Sequence, residues 1–102
     1  MDMEITKEIK EDQALLKLSG EITIYDVSSL KEELLVCLRE NNGLDIDFSA
    51  VEGCDTAAFQ LLCSAVKTAR MENKTFKITG DSDALREAAG RVGLNPDFFL
   101  NS

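Results

Sequence analysis

Histidine and tryptophan are absent from the 102 residues of this sequence, and proline occurs once. Without histidine, the chain has no Ser/His or Cys/His nucleophile pair and no HExxH metal site. It also lacks the commonest metal ligand. The three cysteines, Cys37, Cys54 and Cys63, form no CxxC motif. Because a disulfide framework in a small secreted domain needs an even number, these cysteines favour a reducing cytoplasm.

Long apolar runs are missing too, since no stretch approaches the ~18 residues of a membrane span. The N-terminus, Met1-Asp2-Met3-Glu4, has neither the basic segment nor the apolar stretch of a signal peptide. We therefore expect a soluble, cytoplasmic protein without membrane insertion. Eleven basic residues against nineteen acidic ones give a net charge of −8. This charge repels phosphate backbones and anionic lipids, so nucleic acids and membrane surfaces are poor candidate partners.

The length predicts a single domain over residues 1–102, and 44% hydrophobic residues suffice for its core. Hydrophobic periodicity and turn residues divide the chain into alternating elements. They predict a hairpin of two strands ending near Gly20, followed by a helix over 26–40 and a strand over 44–48. A loop over 49–54 then leads to a helix over 55–72, a strand over 75–79 and a helix over 83–92. This order predicts an α/β fold, with a mixed central sheet of about four to five strands and helices packed on it.

Helical spacing identifies the inward residues of the first two helices. In the first helix they are Val27, Leu30, Leu34, Leu35 and Leu38, and in the second they are Ala58, Leu61, Leu62, Ala65, Val66 and Ala69. Thr56, Gln60, Cys63 and Lys67 fall on the opposite side of the second helix, with Phe59 and Arg70 between the two faces. The apolar tail residues Phe98, Phe99 and Leu100 either close the core or dock on a partner, and the sequence does not decide between these roles.

The start of the second helix is the most informative segment. Asp55 suits the N-cap position, which puts Thr56 among the first backbone amides and at the positive end of the helix dipole. A phosphate on Thr56 would gain from that environment, but Asp55 would repel it, so modification should disturb a partner interface more than stabilise the domain. Phe59 and Cys63 beside Thr56 could form a partner-binding patch; alternatively, Asp55 and Thr56 simply cap the helix and Phe59 packs under a neighbouring loop.

Other candidate chemistry is weaker. Asp45 and Asp47 could form a carboxylate pair for acid-base work or for Mg²⁺, but their alternation with apolar residues also describes the solvent side of a half-buried strand. Cys54 could be a thiolate activated by the following helix, although Asp55 opposes ionisation. No glycine loop cradles phosphate. Since no pair supplies both nucleophile and base, we expect no enzyme activity, no cofactor and no metal site.

Several short segments together resemble a STAS domain, which sulfate transporters share with bacterial anti-sigma factor antagonists. They are Gly20-Glu21-Ile22 after a strand, an amphipathic helix, the strand over 44–48, and Cys54-Asp55-Thr56-Ala57-Ala58 opening a helix. The resemblance extends from about Ile5 to Leu94. It implies a switch protein whose residue after the Asp, here Thr56, is phosphorylated by a partner that is both kinase and anti-sigma factor. The unphosphorylated form would bind that partner.

The resemblance also implies that the region Glu21–Tyr25 lies close to Thr56. The candidate partner-binding residues are Glu21, Thr23, Tyr25, Asp55, Thr56, Phe59, Gln60 and Cys63. The partner would be a serine/threonine kinase-type anti-sigma factor or a related histidine-kinase-like ATPase. The Asp-Thr-Ala form is similar to STAS proteins of chemotaxis-type operons and to the small STAS subunit of lipid-transport ABC systems. Two hypotheses follow: a phosphorylation-controlled switch in a bacterial regulatory or chemosensory pathway, or a constitutive adaptor on a transporter ATPase.

Overall fold

The computed structural model describes residues 2–91 and 93. They form strands β1 (Glu4–Lys10) and β2 (Gln13–Ile22), a short 3-10 turn (Ile24–Asp26), helix α1 (Val27–Glu40), strand β3 (Gly43–Cys54), helix α2 (Thr56–Met71), strand β4 (Thr75–Gly80) and helix α3 (Asp83–Arg91). The predicted alternation of strands and helices is therefore confirmed. Within this part of the chain, no helix is long and apolar enough to cross a bilayer.

The four strands lie in one sheet in the order β1-β2-β3-β4. The hairpin is antiparallel, with Lys10 opposite Gln13 at its turn. The pairs β2–β3 and β3–β4 are parallel, as helical crossovers require. The α/β fold with a mixed sheet of four strands is thus the predicted one. Because β2, β3 and β4 are parallel, their carboxyl ends point toward the same edge of the sheet.

One face of the sheet carries the hydrophobic core. Buried side chains alternate along β2 at Ala14, Leu16 and Leu18, and they pack in one cluster with the helices. The helical members are Leu30, Leu34, Cys37, Leu38, Ala58, Phe59, Leu62, Ala65, Val66, Ala69, Leu85, Ala88 and Ala89. The other face of the sheet presents alternate residues such as Lys17 and Lys77, which are exposed. This one-sided layering matches the period-two pattern of the strands.

Strand β3 continues to Cys54, so the loop predicted over 49–54 was wrong. The buried residues in this half of the strand are Phe48, Val51 and Cys54, which stand three apart rather than two. Two register shifts against β2 each insert one extra residue into β3. Such bulges break the alternation that identifies a strand in sequence, although backbone pairing continues through them.

Helix α1 buries a stripe centred on Leu34 and Leu38, with Cys37 fully buried beside it. Leu35 was predicted to face inward, but its side chain is 43% exposed. It lies at the edge of the stripe, where a shallow groove separates α1 from α2. The helix ends at Asn41, whose side-chain amide donates to the Cys37 carbonyl at 3.0 Å. The Asn41 backbone amide donates to the same carbonyl at 3.1 Å, so the side chain adds a second hydrogen bond at the end of the helix.

Helix α2 has the predicted extent. Its predicted inward residues are buried except Leu61, which is half-buried. Helix α3 begins after Ser82, whose hydroxyl accepts from the Leu85 amide at 3.2 Å. Gly93 takes a positive φ of 76°, the left-handed conformation that glycine commonly adopts just after a helix. The end of the helix predicted over 83–92 and the alternatives for Phe98, Phe99 and Leu100 fall outside the described residues.

Adjacent leucines of α1 provide a test of this core. We expect Leu34→Ala to lower the free energy of unfolding by about 2–5 kcal/mol, because it leaves a cavity in a fully packed region. Leu35→Ala removes the same atoms from a partly exposed site and should cost less than about 1 kcal/mol. Urea unfolding of both variants at pH 7 measures the difference. Equal losses would contradict the orientation of α1.

Candidate functional site

The carboxyl ends of β2 and β3 meet at one edge of the sheet. Ile22 and Cys54 are paired across the two strands. The Asp55 amide donates to the Ile22 carbonyl at 2.9 Å, which joins the start of α2 to the end of β2. The segment 21–25 and the residues Asp55 and Thr56 therefore share this edge. Sequence reasoning expected these two segments to lie together, and the strand pairing brings them there.

Asp55 is the N-cap residue of α2. Its backbone is extended, with φ of −71° and ψ of 150°, and its carbonyl accepts from the Phe59 amide at 3.1 Å. The carboxylate makes no capping hydrogen bond, and the residue is exposed. The predicted helix start is confirmed, whereas the side-chain cap is absent. The negative charge of Asp55 is thus directed to solvent next to Thr56, which is half-buried at the first helical position.

A short turn after β2 presents two large apolar residues to solvent. The Thr23 hydroxyl accepts from the Tyr25 amide at 3.2 Å, and the Thr23 amide and hydroxyl both donate to Asp26 Oδ2, at 2.8 and 3.0 Å. This reciprocal capping holds the turn closed. Ile24 is 59% exposed and Tyr25 is 92% exposed. A rigid turn that exposes such side chains is a feature of protein-binding surfaces.

Arg91, in the last turn of α3, reaches the same edge. Its Nη1 donates to the Cys54 carbonyl at 3.2 Å, and its Nη2 lies 3.8 Å from Glu87 Oε2. A positive charge therefore lies beside the segment that leads into α2. Sequence reasoning missed Arg91, because a contact between residues 37 positions apart leaves no trace in local spacing. It also missed Ile24. The pattern was usable, because Ile24 lies between Thr23 and Asp26, two residue types that cap turns, and a capped turn exposes the residues inside it.

We call this region the Thr56 surface, and define it as the exposed parts of Glu21, Ile24, Tyr25, Asp55 and Thr56. It combines the carboxylates of Glu21 and Asp55, the apolar side chain of Ile24, the aromatic ring of Tyr25 and the hydroxyl of Thr56. The mixture suits recognition of another protein, in which apolar contacts supply affinity and charges supply selectivity.

Phe59 does not belong to the Thr56 surface. Its side chain is 0% exposed and lies in the core, so the prediction that it contributes to a partner-binding patch was wrong. The reason is that the core-facing stripe of α2 is wide enough to include both Ala58 and Phe59. Gln60 is exposed one turn along α2, and Cys63 is half-buried and packs partly against the core.

The thiols are poor nucleophiles. Burial raises the pKa of the Cys54 thiol to about 11, and Asp55 adds to this rise while Arg91 opposes it. The alternative of a Cys54 thiolate activated by the helix start is therefore contradicted. Burial also raises the pKa values of Cys37 and Cys63. Thiolate chemistry near neutral pH has no support at these positions.

Asp45 and Asp47 each accept a hydrogen bond, Asp45 from the neighbouring strand β2 and Asp47 from its own strand. Gln13 Nε2 donates to Asp45 Oδ1 at 3.1 Å, and the Ser49 amide donates to Asp47 Oδ1 at 2.8 Å. The hydrogen bonds from Ser49 lower the pKa of the Asp47 carboxyl. Among residues 2–91 and 93, no group of three or more His, Cys, Asp and Glu side chains is arranged to hold a metal ion. The two aspartates act as polar residues on the open face of the sheet.

A groove of about 220 Å³ separates the C-terminal halves of α1 and α2. It is lined by residues that include Leu35, Leu38, Thr68 and Glu72. Because Thr56 stands at the other end of α2, this groove is not part of the Thr56 surface.

Comparison with known proteins agrees with the fold. The family model described as "Mlab, STAS domain" matches residues 5–100. The chain therefore belongs to the STAS domain family. It superposes on an anti-sigma factor antagonist from Mycobacterium paratuberculosis with a TM-score of 0.77 and 20% identity, covering 90% of this chain and 79% of the other.

Two further structures have the same fold. The anti-sigma factor antagonist SpoIIAA in its unphosphorylated form gives a TM-score of 0.77 at 14% identity, covering 91% of this chain and 84% of that one. A variant of RsbS from Moorella thermoacetica gives a TM-score of 0.74 at 24% identity, covering 94% of this chain and 83% of that one. SpoIIAA from Bacillus has also been solved in a phosphorylated form.

Thiol labelling tests the environment of Cys54. At pH 8, a thiol with a pKa of about 11 is ionised in about one molecule in a thousand, against about one in four for an ordinary thiol. In a Cys37→Ser/Cys63→Ser background, we expect slow labelling whose rate keeps rising beyond pH 9. Asp55→Asn removes a charge that raises this pKa and should accelerate labelling at a given pH. A rate that levels off by pH 8 would contradict the buried thiol.

The turn after β2 gives a second test. Thr23→Ala removes the hydroxyl that bonds both Tyr25 and Asp26, and should cost about 1 kcal/mol of unfolding free energy. Thr23→Ser keeps the hydroxyl and serves as the matched control. Hydrogen exchange of the Tyr25 amide should accelerate in the alanine variant and stay slow in the serine variant. Identical exchange in both variants would show that the capping bond does not hold the turn.

Proposed function

We propose that the chain is a non-catalytic, protein-binding switch of the cytoplasm, in which phosphorylation of Thr56 controls association with a partner. The observation that carries this proposal is the position of Thr56. Its hydroxyl-bearing side chain stands at the first helical position of α2, beside a capped turn that exposes Ile24 and Tyr25. Contacts for a partner and a modifiable group thus share one surface.

Electrostatics supports a switch that disrupts binding. A phosphate adds about two negative charges next to the exposed carboxylate of Asp55. The helix dipole favours that charge by only about 0.3–1 kcal/mol when the site is exposed. Arg91 lies near but already donates to the Cys54 carbonyl and faces Glu87. Phosphorylation would therefore make the Thr56 surface strongly negative, whereas the unmodified surface combines apolar and acidic side chains. A partner that is complementary to the unmodified surface would bind the phosphorylated one more weakly.

The proposed partner is a serine/threonine kinase-type anti-sigma factor or a related histidine-kinase-like ATPase, acting in a bacterial regulatory or chemosensory pathway. Support comes from the shared fold with anti-sigma factor antagonists, one of which, SpoIIAA, has been solved in both phosphorylation states. Further support comes from the residue pair Asp55 and Thr56 at the start of α2, because the resemblance to this family implies a modifiable hydroxyl directly after the aspartate.

A constitutive adaptor that binds a transporter ATPase is the second candidate. The exposed Ile24 and Tyr25 favour it, because these apolar contacts require no modification of Thr56. The two functions differ in two measurable respects. A switch loses its partner when negative charge is added at Thr56, and it acquires phosphate in the cell, whereas an adaptor does neither.

Partner capture with matched Thr56 variants tests the switch. Thr56→Glu should lower the amount of captured partner at least about tenfold, which corresponds to ~1.4 kcal/mol. Thr56→Gln has the same length without the charge and should retain most binding, as should Thr56→Ser. Intact-mass spectrometry of the protein from its own cells, with and without phosphatase, should show one removable phosphate in wild type and none in Thr56→Ala.

Tyr25→Ala provides the control for the surface itself. It should weaken capture in the presence or absence of phosphate, because it removes an exposed apolar contact without altering Thr56. If Thr56→Glu binds as well as Thr56→Gln and the mass never shows phosphate, the adaptor replaces the switch. If Tyr25→Ala and Thr56→Glu both leave binding unchanged, the partner does not use the Thr56 surface.

A further inference from the structure

Strand β1 forms an edge of the sheet. It pairs with β2 on one side, and no strand of the described chain pairs with its other side. The outer backbone amides and carbonyls of an edge strand are ready to pair with another strand. Only Ile5 of the seven residues of β1 is half-buried, and the others are exposed. The outer edge of β1 is therefore available to a further strand.

The two faces of β1 differ in character. Ile5, Lys7 and Ile9 are opposite Leu18, Leu16 and Ala14, which are core residues, so these three lie on the helix side of the sheet. Ile9 is 51% exposed there, because the core does not reach over the end of the strand. Glu4, Thr6, Glu8 and Lys10 alternate with them on the open face. An apolar residue thus stands near each end of the strand, with charges around it.

We propose that β1 is a self-association surface, and that a second copy of this chain pairs its own β1 antiparallel to it about a two-fold axis at Lys7. Symmetry makes such an interface self-complementary. In this register each Ile5 faces the other copy's Ile9, and each Glu4 faces the other copy's Lys10. Both pairs occur twice. Opposite charges and apolar side chains directly across two strands are stabilising contacts.

The charge pattern selects this register over its neighbours. Moving the axis to Thr6 places Glu4 against Glu8 and Ile5 against Lys7. Moving it to Glu8 places Lys7 against Ile9 and Glu8 against itself. Each shift exchanges matched pairs for like charges or for an apolar residue facing a charge. The charges of β1 therefore oppose these two neighbouring registers and favour the one centred on Lys7, in which all seven residues of the strand are paired.

Charge balance also favours this surface for a second copy. The chain carries a net charge of −8, so two copies repel each other over most of their surface. Strand β1 contains two glutamates and two lysines and is neutral. The unfavourable pair in the proposed register is Lys7 against itself.

The proposed dimer is independent of the proposed function. An interface of one strand pair is smaller than that of a standard stable complex, so we expect a weak dimer with a dissociation constant of about 10 µM to 1 mM. The ion pairs between Glu4 and Lys10 are exposed and should be screened by salt. Neither Thr56 nor the turn at Ile24 and Tyr25 takes part in the strand pairing.

Charge exchange within β1 tests the proposal. Sedimentation velocity of the full chain up to about 1 mM at low salt should detect a species of twice the 11.2 kDa mass. Glu4→Lys alone, or Lys10→Glu alone, places like charges across the interface twice and should weaken the dimer at least about tenfold. The double variant Glu4→Lys/Lys10→Glu restores opposite charges and should return the dissociation constant to within about threefold of wild type.

Disulfide trapping checks the register in folded protein. In a Cys63→Ser background, Lys7→Cys puts thiols directly opposite each other, within the range of about 4.4–6.8 Å between Cα atoms that a disulfide needs. Lys10→Cys is the control, because its thiols would lie about 20 Å apart. Rapid cross-linking at position 7 alone supports the register. A wild-type chain that stays monomeric, single variants that dimerise like wild type, or equal cross-linking at both positions would overturn the proposal.

Discussion

The parallel pairing of β2 with β3 is the constraint on which the rest of the molecule depends. It aligns Ile22 with Cys54, and the hydrogen bond from the Asp55 amide to the Ile22 carbonyl then sets where α2 begins. Both segments of the Thr56 surface follow from this alignment. The two bulges in β3 belong to the same constraint, because regular pairing of its 12 residues with the 10 residues of β2 would carry the end of β3 beyond the end of β2. The Asp55 amide would then lie away from the Ile22 carbonyl.

The placement of all core residues on one face of the sheet has a second consequence. A sheet covered on one side keeps its strand ends and its outer strand accessible, and three large side chains are exposed there: Ile24 and Tyr25 after β2, and Ile9 on β1. The capping bonds of Thr23 keep the first pair in a defined position. Exposure at these places is therefore a product of the architecture and not of poor packing, since the central core residues are fully buried.

Sequence patterns predicted most of this fold, because helices with caps and alternating strands follow local rules. The order of elements, the extent of α1 and α2, and the position of Thr56 were all accessible in this way. The second half of β3 was not, since bulges replace the period of two by buried residues at Phe48, Val51 and Cys54. The burial of Phe59 and the contact of Arg91 with Cys54 depend on packing between distant segments, which local spacing does not encode.

The two proposed surfaces are compatible because of strand direction. In β1, Glu4 lies beside Ser19, near the end of β2 that leads to the Thr56 surface. A two-fold axis at Lys7 makes the β2 strands of the two copies antiparallel, so their Thr56 surfaces face opposite ends of the dimer. Each surface would then meet its own partner without blocking the other. Phosphate on one Thr56 would also lie far from the other copy's site, beyond the ~8 Å over which exposed charges interact at physiological salt. Dimerisation would double the number of switches without coupling them electrostatically.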